Sequence, residues 1–308
     1  MSNNKKIIVT GSSGFIGSHV ADALEEHGYR VILFDSVPSK YKTGDQEEFI
    51  GDILDLDKIT TAMKGCDTVC HFAAQADINL SSDSPSETIT TNIIGTQNVL
   101  EAARKHKVKR FLFASTIYVY SELGSFYRVS KQACEKIIQE YQKEFNLDYT
   151  ILRFGSLYGQ RANKFNAIND FLTQALKNKI IVRRGNGEEI REYIHVKDAA
   201  RLSVQALEGK YKNQYLIITG NQKIKVKKLL KMIQKIFKGE IEIQYGSEEP
   251  LHHYVITPYT YNPQVAKKLS PKTYYDLEQG ILDLIYDVKD GINKNIEFDK
   301  IGLLENNK

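Results

Sequence analysis

Tyr127 and Lys131 lie four residues apart in the helical pattern of residues 126–145, which sets a phenol and an ammonium on one face. Such a pair can move a proton. A free phenol titrates near 10, so acting as a base near neutrality needs a drop of about 3 pH units, or about 4 kcal/mol. A neighbouring ammonium has the sign to supply part of it. The spacing alone is common on exposed helices; its position gives it weight, because it follows a strand pattern ending in Ser115 and Thr116. The Thr116 hydroxyl can there hydrogen-bond a substrate hydroxyl as it becomes a carbonyl.

A second run with chemistry in it is Gly11-Ser12-Ser13-Gly14-Phe15-Ile16-Gly17, set between the apolar stretch Ile7-Ile8-Val9-Thr10 and an amphipathic helical stretch. Glycines let the backbone approach a diphosphate closely, and the free N–H groups of a helix N-terminus point at its charge. Asp35 ends the next strand pattern, eighteen residues beyond Gly17 (35 − 17). A carboxylate there accepts hydrogen bonds from an adenosine ribose and repels a 2′-phosphate, which favours NAD over NADP. The spacing is G-x-x-G-x-x-G, not G-x-G-x-x-G, so strand, helix and Asp35 carry the reading together. An oxidised nicotinamide would add a second positive charge beside Tyr127.

The elements that must position these residues alternate. Strand patterns at 6–10, 30–34, 68–72, 110–115 and 148–153 are separated by helical patterns at 15–27, 55–64, 85–106 and 126–145. Right-handed crossovers then give an α/β fold, a Rossmann-type doubly wound parallel sheet with its nucleotide beyond the strands' carboxyl ends. After about residue 160 come helices at 165–177, 196–208, 225–237 and 276–288, and strands at 180–183, 214–218 and 241–245. These form a smaller mixed α/β substrate-binding lobe. The expected division is 1–160 for the dinucleotide domain, with 192–218 returning to it, and 161–191 with 219–308 for the lobe. No linker-like tract separates them, so the two should be intertwined.

A net charge of +4, from 42 basic and 38 acidic residues among 308, excludes a polycation for nucleic acid. The basic run Lys223 to Lys235 alternates with apolar residues and reads as an amphipathic helix. Cys66, Cys70 and Cys134 make no metal or disulfide framework and point to a reducing compartment. No apolar stretch approaches the ~20 residues that span a bilayer, and no signal-peptide core precedes the first strand. A cytoplasmic protein with no membrane or nucleic-acid partner is expected.

Together these residues resemble the extended short-chain dehydrogenase/reductase family, in particular its NAD-dependent nucleotide-sugar epimerases, dehydrogenases and dehydratases of the UDP-glucose 4-epimerase type. The resemblance covers nearly the whole chain. Besides the glycines, Asp35 and Tyr127-xxx-Lys131, it is carried by Gly51-Asp52-Ile53, His71-Phe72-Ala73-Ala74, Asn92, Ser115-Thr116, Leu152-Arg153-Phe154 through Tyr158-Gly159, and Arg191-Glu192-Tyr193-Ile194-His195-Val196-xx-Asp198. It implies that Asp52 and Ile53 lie beside the adenine, and Phe72, Ala73 and Ala74 along the pyrophosphate and nicotinamide ribose. Asn92, Ser115 and Phe154 complete the cofactor contacts. Lys131 holds the nicotinamide ribose, Tyr127 takes the proton from a sugar hydroxyl, commonly at C4, and Thr116 assists. Arg191 pairs with the substrate diphosphate; His195 is structural.

Four departures qualify that pattern. Only Ile117 to Phe126 separates Thr116 from Tyr127, a short connection where the family's usual loop helps wall the sugar site. Ser156 stands where an asparagine often grips a substrate phosphate. Ile117-Tyr118 replaces the acid pair with which 4,6-dehydratases eliminate water. Leu251-His252-His253-Tyr254 lacks the usual arginine and aspartate, leaving His252 as a candidate contact to the nucleotide base.

The reading taken is C4 epimerisation of a nucleotide-diphosphate sugar through a 4-keto sugar. The alternatives are a net C4 dehydrogenase, then a 4,6-dehydratase, and a non-catalytic dinucleotide sensor. The helices near 85–106 and 126–145 carry apolar residues on more than one face, including Ile93, Ile94, Val99, Leu100, Ile137, Ile138 and Tyr141. By resemblance they form a homodimer interface.

Overall fold

The computed structural model describes the backbone of residues 5–43, 46–246 and 267–305, and side chains as far as residue 292. Its elements run β1 (Lys6–Thr10), α1 (Phe15–Glu26), β2 (Arg30–Asp35), β3 (Glu47–Ile50), α2 (Leu56–Ala62), β4 (Thr68–His71), α3 (Ile78–Asp83), α4 (Pro85–Ile89), α5 (Gly95–Lys105), β5 (Arg110–Thr116), α6 (Ser125–Phe145) and β6 (Asp148–Phe154). There follow β7 (Ser156–Tyr158), α7 (Ala167–Asn178), β8 (Ile180–Arg183), β9 (Ile190–His195), α8 (Val196–Gln205), β10 (Gln214–Ile218), β11 (Lys223–Lys225), α9 (Val226–Ile236), β12 (Glu242–Tyr245), β13 (Lys267–Lys268) and α10 (Leu277–Glu305).

Among the described residues, eight strands form one sheet in the order β13-β10-β6-β5-β4-β1-β2-β3, every neighbouring pair parallel. Its central strands are apolar runs because both faces are covered. Ile7 and Val9 of β1 point to the face packed by α1 and α8, with Leu24, Leu33, Leu112 and Leu202. Ile8 points to the face packed by α2, α5 and α6, with Ile32, Phe111, Leu100 and Ile138. Parallel strands end together, so Thr10, Asp35, His71, Thr116 and Phe154 meet along one edge.

Of the stretch expected to return to this sheet, α8 and β10 do so, whereas β9 pairs with β7 and β11 in a three-stranded sheet. A third core, with Phe171, Leu172, Leu229, Leu230, Ile233 and Ile281, joins α7, α9 and α10. The basic run Lys223 to Lys235 begins as strand β11 and continues from Val226 as the amphipathic helix α9, burying Val226, Leu229, Leu230 and Ile233.

The expected single helix over 85–106 is broken by a π-turn at Thr90–Ile94. A π-turn inserts a residue and re-aims a side chain; here it directs Asn92 at the loop after β4. The short α3 is started by Asp77, whose carboxylate accepts from the backbone N–H groups of Asn79 (2.9 Å) and Leu80 (3.3 Å).

Candidate active site

β1 ends in a turn that only glycine fits. Gly11 has φ +71°, and a Cβ on it would stand 2.6 Å from the backbone nitrogen of Ala73. A Cβ on Gly17 would stand 2.0 Å from the Gly11 carbonyl oxygen. Gly14 is different: its φ is an ordinary −81° and it begins α1 with no side-chain cap. The first turn of α1 carries no acidic residue and no side-chain cap, and its N-terminus lines a cleft. A cavity of about 410 Å³ runs from there past Asp35, Asp52, Ile53, Ala73 and Ala74. It meets a larger one of about 930 Å³ at Gly11, Gly14, Phe72 and Ala74.

The Asp35 carboxylate accepts from the backbone N–H of Ser13 at 2.9 Å and of Val37 at 3.3 Å, which fixes it at the wall of the smaller cavity. Ile53 is pressed onto Gly95, where a Cβ would come within 2.4 Å of it. Asn98 Nδ2 donates to the carbonyls of Ile53 and Leu54, both at 3.0 Å, and holds that loop.

The larger cavity contains Thr116, Tyr127 and Lys131. α6 places Tyr127 and Lys131 on its inner face, and β5 ends beside them at Thr116. Lys131 Nζ donates to the Ala114 carbonyl at 2.8 Å and lies 4.6 Å from the centre of the Phe113 ring. Burial lowers its pKa to about 8. Burial pushes the Tyr127 phenol up to about 12, against the pull of its hydrogen bond with Thr116. That direction is opposite to the depression expected from Lys131. The ammonium is committed to Ala114, with its Nζ 5.8 Å from the Tyr127 ring centre, and cannot outweigh the loss of water around the phenol.

Phe15, Ile16, Gly17, Ser115, Phe154, Ser156 and Arg191 line the larger cavity. The Ser115 hydroxyl points away, donating to Glu135 at 2.6 Å. Asn92, expected against the cofactor, lines neither cavity. Its amide accepts from Gln75 N (2.7 Å) and donates to Gln75 O (3.0 Å) and Ser130 Oγ (2.9 Å), bracing the loop after β4 against α6. His252 lies outside the described residues. His195 caps α8, its Nδ1 accepting from Lys197 N, and stacks on Tyr275 with ring centres 4.2 Å apart.

The short connection after Thr116 is a 3₁₀ turn, Ile117–Tyr120, capped by Thr116 Oγ1. Gln132 and Arg128 of α6 donate to the carbonyls of Val119 (2.9 Å) and Ser121 (3.0 Å) and hold it flat. The short helix α3 is bound to the start of α6 through Ser82 Oγ and Ser125 Oγ at 2.6 Å and through Tyr127 N and Ser81 Oγ at 3.3 Å. Ile78, Asn79 and Asp83 thereby enter the cleft, with Arg183 and Arg184 from the second lobe opposite. None of these was identified from the sequence. Asp77 as a helix cap and the basic pair at the end of β8 were the available signals.

Residues 7–217 match the model of the NAD dependent epimerase/dehydratase family. The chain belongs to that family. A Methanocaldococcus jannaschii protein that carries the name of a UDP-glucose 4-epimerase is 31% identical over 300 residues, covering 89% of this chain and 95% of the other. The solved Thermotoga maritima UDP-glucose 4-epimerase with UDP-glucose superposes with a TM-score of 0.80 at 26% identity, over 93% of this chain and 99% of that one. Bacillus cereus UDP-glucuronic acid 4-epimerase, with UDP-glucuronic acid and NAD, gives 0.80 at 25% identity, over 92% and 99%.

The protein is thus an enzyme of this family, and its cofactor is NAD. Its own residues fit that group. The uncapped helix at Gly14 suits a diphosphate, the fixed carboxylate of Asp35 suits an unphosphorylated ribose, and the larger cavity brings Tyr127 and Lys131 into the same space.

Proposed function

We propose that the enzyme interconverts the C4 epimers of a nucleotide-diphosphate sugar through a 4-keto sugar. The observation that carries this reading is the convergence of Thr116, Tyr127 and Lys131 in a cavity that also opens onto Gly11 and Gly14. NAD supplies a hydride acceptor and a positive charge when bound. Tyr127 Oη takes the proton of the C4 hydroxyl and later returns one, Thr116 Oγ1 holds the oxygen, and Lys131 keeps a positive charge beside the phenol. Asp35 and Asp52 face the adenosine half; Phe72, Ala73 and Ala74 flank the dinucleotide. Arg191 and Ser156 receive the sugar's diphosphate, the guanidinium suiting its charge. Net dehydrogenation shares every step up to the ketone and is the second reading. A 4,6-elimination has no acid at Ile117 or Tyr118 to serve it.

The same reading includes a homodimer. Val99, Leu100 and Ile138 are buried in the sheet's own core, but Ile89, Ile94 and Val129 stay exposed on the outer side of α4–α6. Exposed apolar residues on these helices suit a second copy. Three buried, unpaired cysteines support a reducing, cytoplasmic setting.

A panel of UDP-, GDP-, dTDP- and CDP-sugars tests the reaction class by mass spectrometry. Epimerisation leaves the mass unchanged with a new stereoisomer. Loss of two hydrogens selects the dehydrogenase, loss of water the dehydratase, and no turnover of any sugar removes the proposal.

A further inference from the structure

Glu135 follows Lys131 by one helical turn on the inner face of α6 and is buried. Arg153 of β6 grips it with two hydrogen bonds, Nε to Oε1 at 3.0 Å and Nη2 to Oε2 at 2.7 Å. The third guanidinium nitrogen, Nη1, donates to the Tyr120 hydroxyl at 2.6 Å, and the guanidinium lies between the rings of Tyr120 (4.6 Å) and Tyr215 (4.4 Å). Ser115 donates to Glu135 Oε1 at 2.6 Å and is the register partner of Arg153. One carboxylate thus ties together α6, which carries Tyr127 and Lys131, β5, which ends at Thr116, and β6. Through Arg153 and Tyr120 it also reaches the 3₁₀ turn that replaces the usual loop.

A buried ion pair adds little net stability over an apolar replacement of the same shape, so stability is a weak reason for placing one here. We infer that Glu135 and Arg153 are a positioning pair for the reaction: they set the register of Tyr127 and Lys131 against Thr116 and govern the charge on Lys131 without touching substrate or cofactor. The inference deepens the proposed function and rests on Tyr127 and Lys131 being the reacting pair.

The groups around Lys131 fix the sign. α6 contributes Tyr127, Cys134 and Glu135; β4 contributes His71, whose imidazole burial keeps neutral, with a pKa of about 3. β5 offers the Ala114 carbonyl and the Phe113 ring, and β6 offers Arg153, held behind Glu135. Glu135 favours the charged form of Lys131, while burial opposes it. Glu135→Gln removes that support and leaves the guanidinium uncompensated, so Lys131 gives up its proton at lower pH. Arg153→Met leaves the carboxylate uncompensated and moves the titration upward.

The test follows the ¹³Cε signal of Lys131 in lysine-labelled, full-length, cofactor-free protein, identified by its disappearance in Lys131→Met. The expected midpoint is near 8 in the wild type, about one pH unit lower in Glu135→Gln and displaced upward in Arg153→Met. The alkaline limb of kcat/KM should move with it. Ser115→Ala, which keeps both charges, should lower kcat while leaving KM and the midpoint in place; wild-type kcat there counts against the positioning role. Midpoints unmoved, or moved in one direction, in variants whose circular dichroism matches the wild type overturn the inference. Should Glu135→Gln fail to fold, the direction of the Arg153→Met midpoint decides. The titration needs no substrate, so an enzyme inert toward nucleotide sugars would refute the functional reading and leave this result to stand on its own.

Discussion

Gly14→Ala should separate cofactor binding from folding at a single methyl group. The φ of Gly14, −81°, is open to alanine, and the new Cβ would meet one atom, the Gly11 carbonyl oxygen at 3.2 Å. A shift of a few tenths of an ångström relieves that contact, and alanine restricts the unfolded chain, a gain of about 0.4–1 kcal/mol. Stability should stay within about 1 kcal/mol of wild type, or about 3 °C in Tm. Gly14 lines both cavities at the start of α1, so the added methyl group should obstruct a diphosphate there. Losing two charge-assisted hydrogen bonds at about 1.5 kcal/mol each raises the Kd for NAD about 100-fold. Gly11→Ala is the contrast. Its φ of +71° costs alanine about 1–2 kcal/mol, and its Cβ would lie within 2.8 Å of three backbone atoms of Phe72 and Ala73. That variant should lose both stability and cofactor. Titration calorimetry with NAD and thermal unfolding of the cofactor-free protein read the two effects apart. A Gly14→Ala enzyme that binds NAD within threefold of wild type, or unfolds as early as Gly11→Ala, refutes the reasoning.

Tyr127→Phe should lower kcat by about 10²–10⁴ with NAD affinity unchanged; wild-type turnover would remove the assignment. Lys131 titrates near 8 when folded and near 10.4 when unfolded, so the unfolded chain binds the extra proton between those values. Stability should therefore rise with pH across that window, by about 3 kcal/mol at most, and urea unfolding at pH 7.5 and 9.5 should show a smaller rise in Lys131→Met. His19, His71 and His195 are buried with pKa values lowered to about 4, 3 and 4. As pH falls below about 6.5 the unfolded state takes up protons that the fold refuses, costing about 1.4 kcal/mol per pH unit for each histidine. A Tm that stays flat from pH 6.5 to 4.5 would contradict that. Ile94→Asp with Val129→Asp should give a monomer by light scattering where the parent is a dimer; a dimer surviving both charges moves the interface elsewhere.

The glycine turn, Asp35 and the Tyr127–Lys131 pair were legible because each depends on local spacing along strands and helices of strong period. The central sheet was legible for the same reason. What escaped has no local period. α3 is a six-residue, mostly polar helix, Ile-Asn-Leu-Ser-Ser-Asp, and becomes a wall of the cleft only through hydroxyl contacts with α6. β3, β7 and β11 are short, β9 lies outside the main sheet, and the pairing of all four is set by tertiary contact. Asn92 was found by resemblance but its direction was not, since that depends on a π-turn. Glu135 was hidden by its i+4 spacing from Lys131, which on a solvated helix is an ordinary surface pair and here is a buried one.

The central claim is hydride removal from C4 within a site that holds both proton and coenzyme. A nucleotide sugar carrying deuterium at C4, turned over in ordinary water, tests it most directly. The account predicts an inverted C4 that keeps its deuterium, because the hydride leaves and returns inside one closed site. Deuterium found in released NADH would select the dehydrogenase. Inversion with the label lost to water would contradict the account outright.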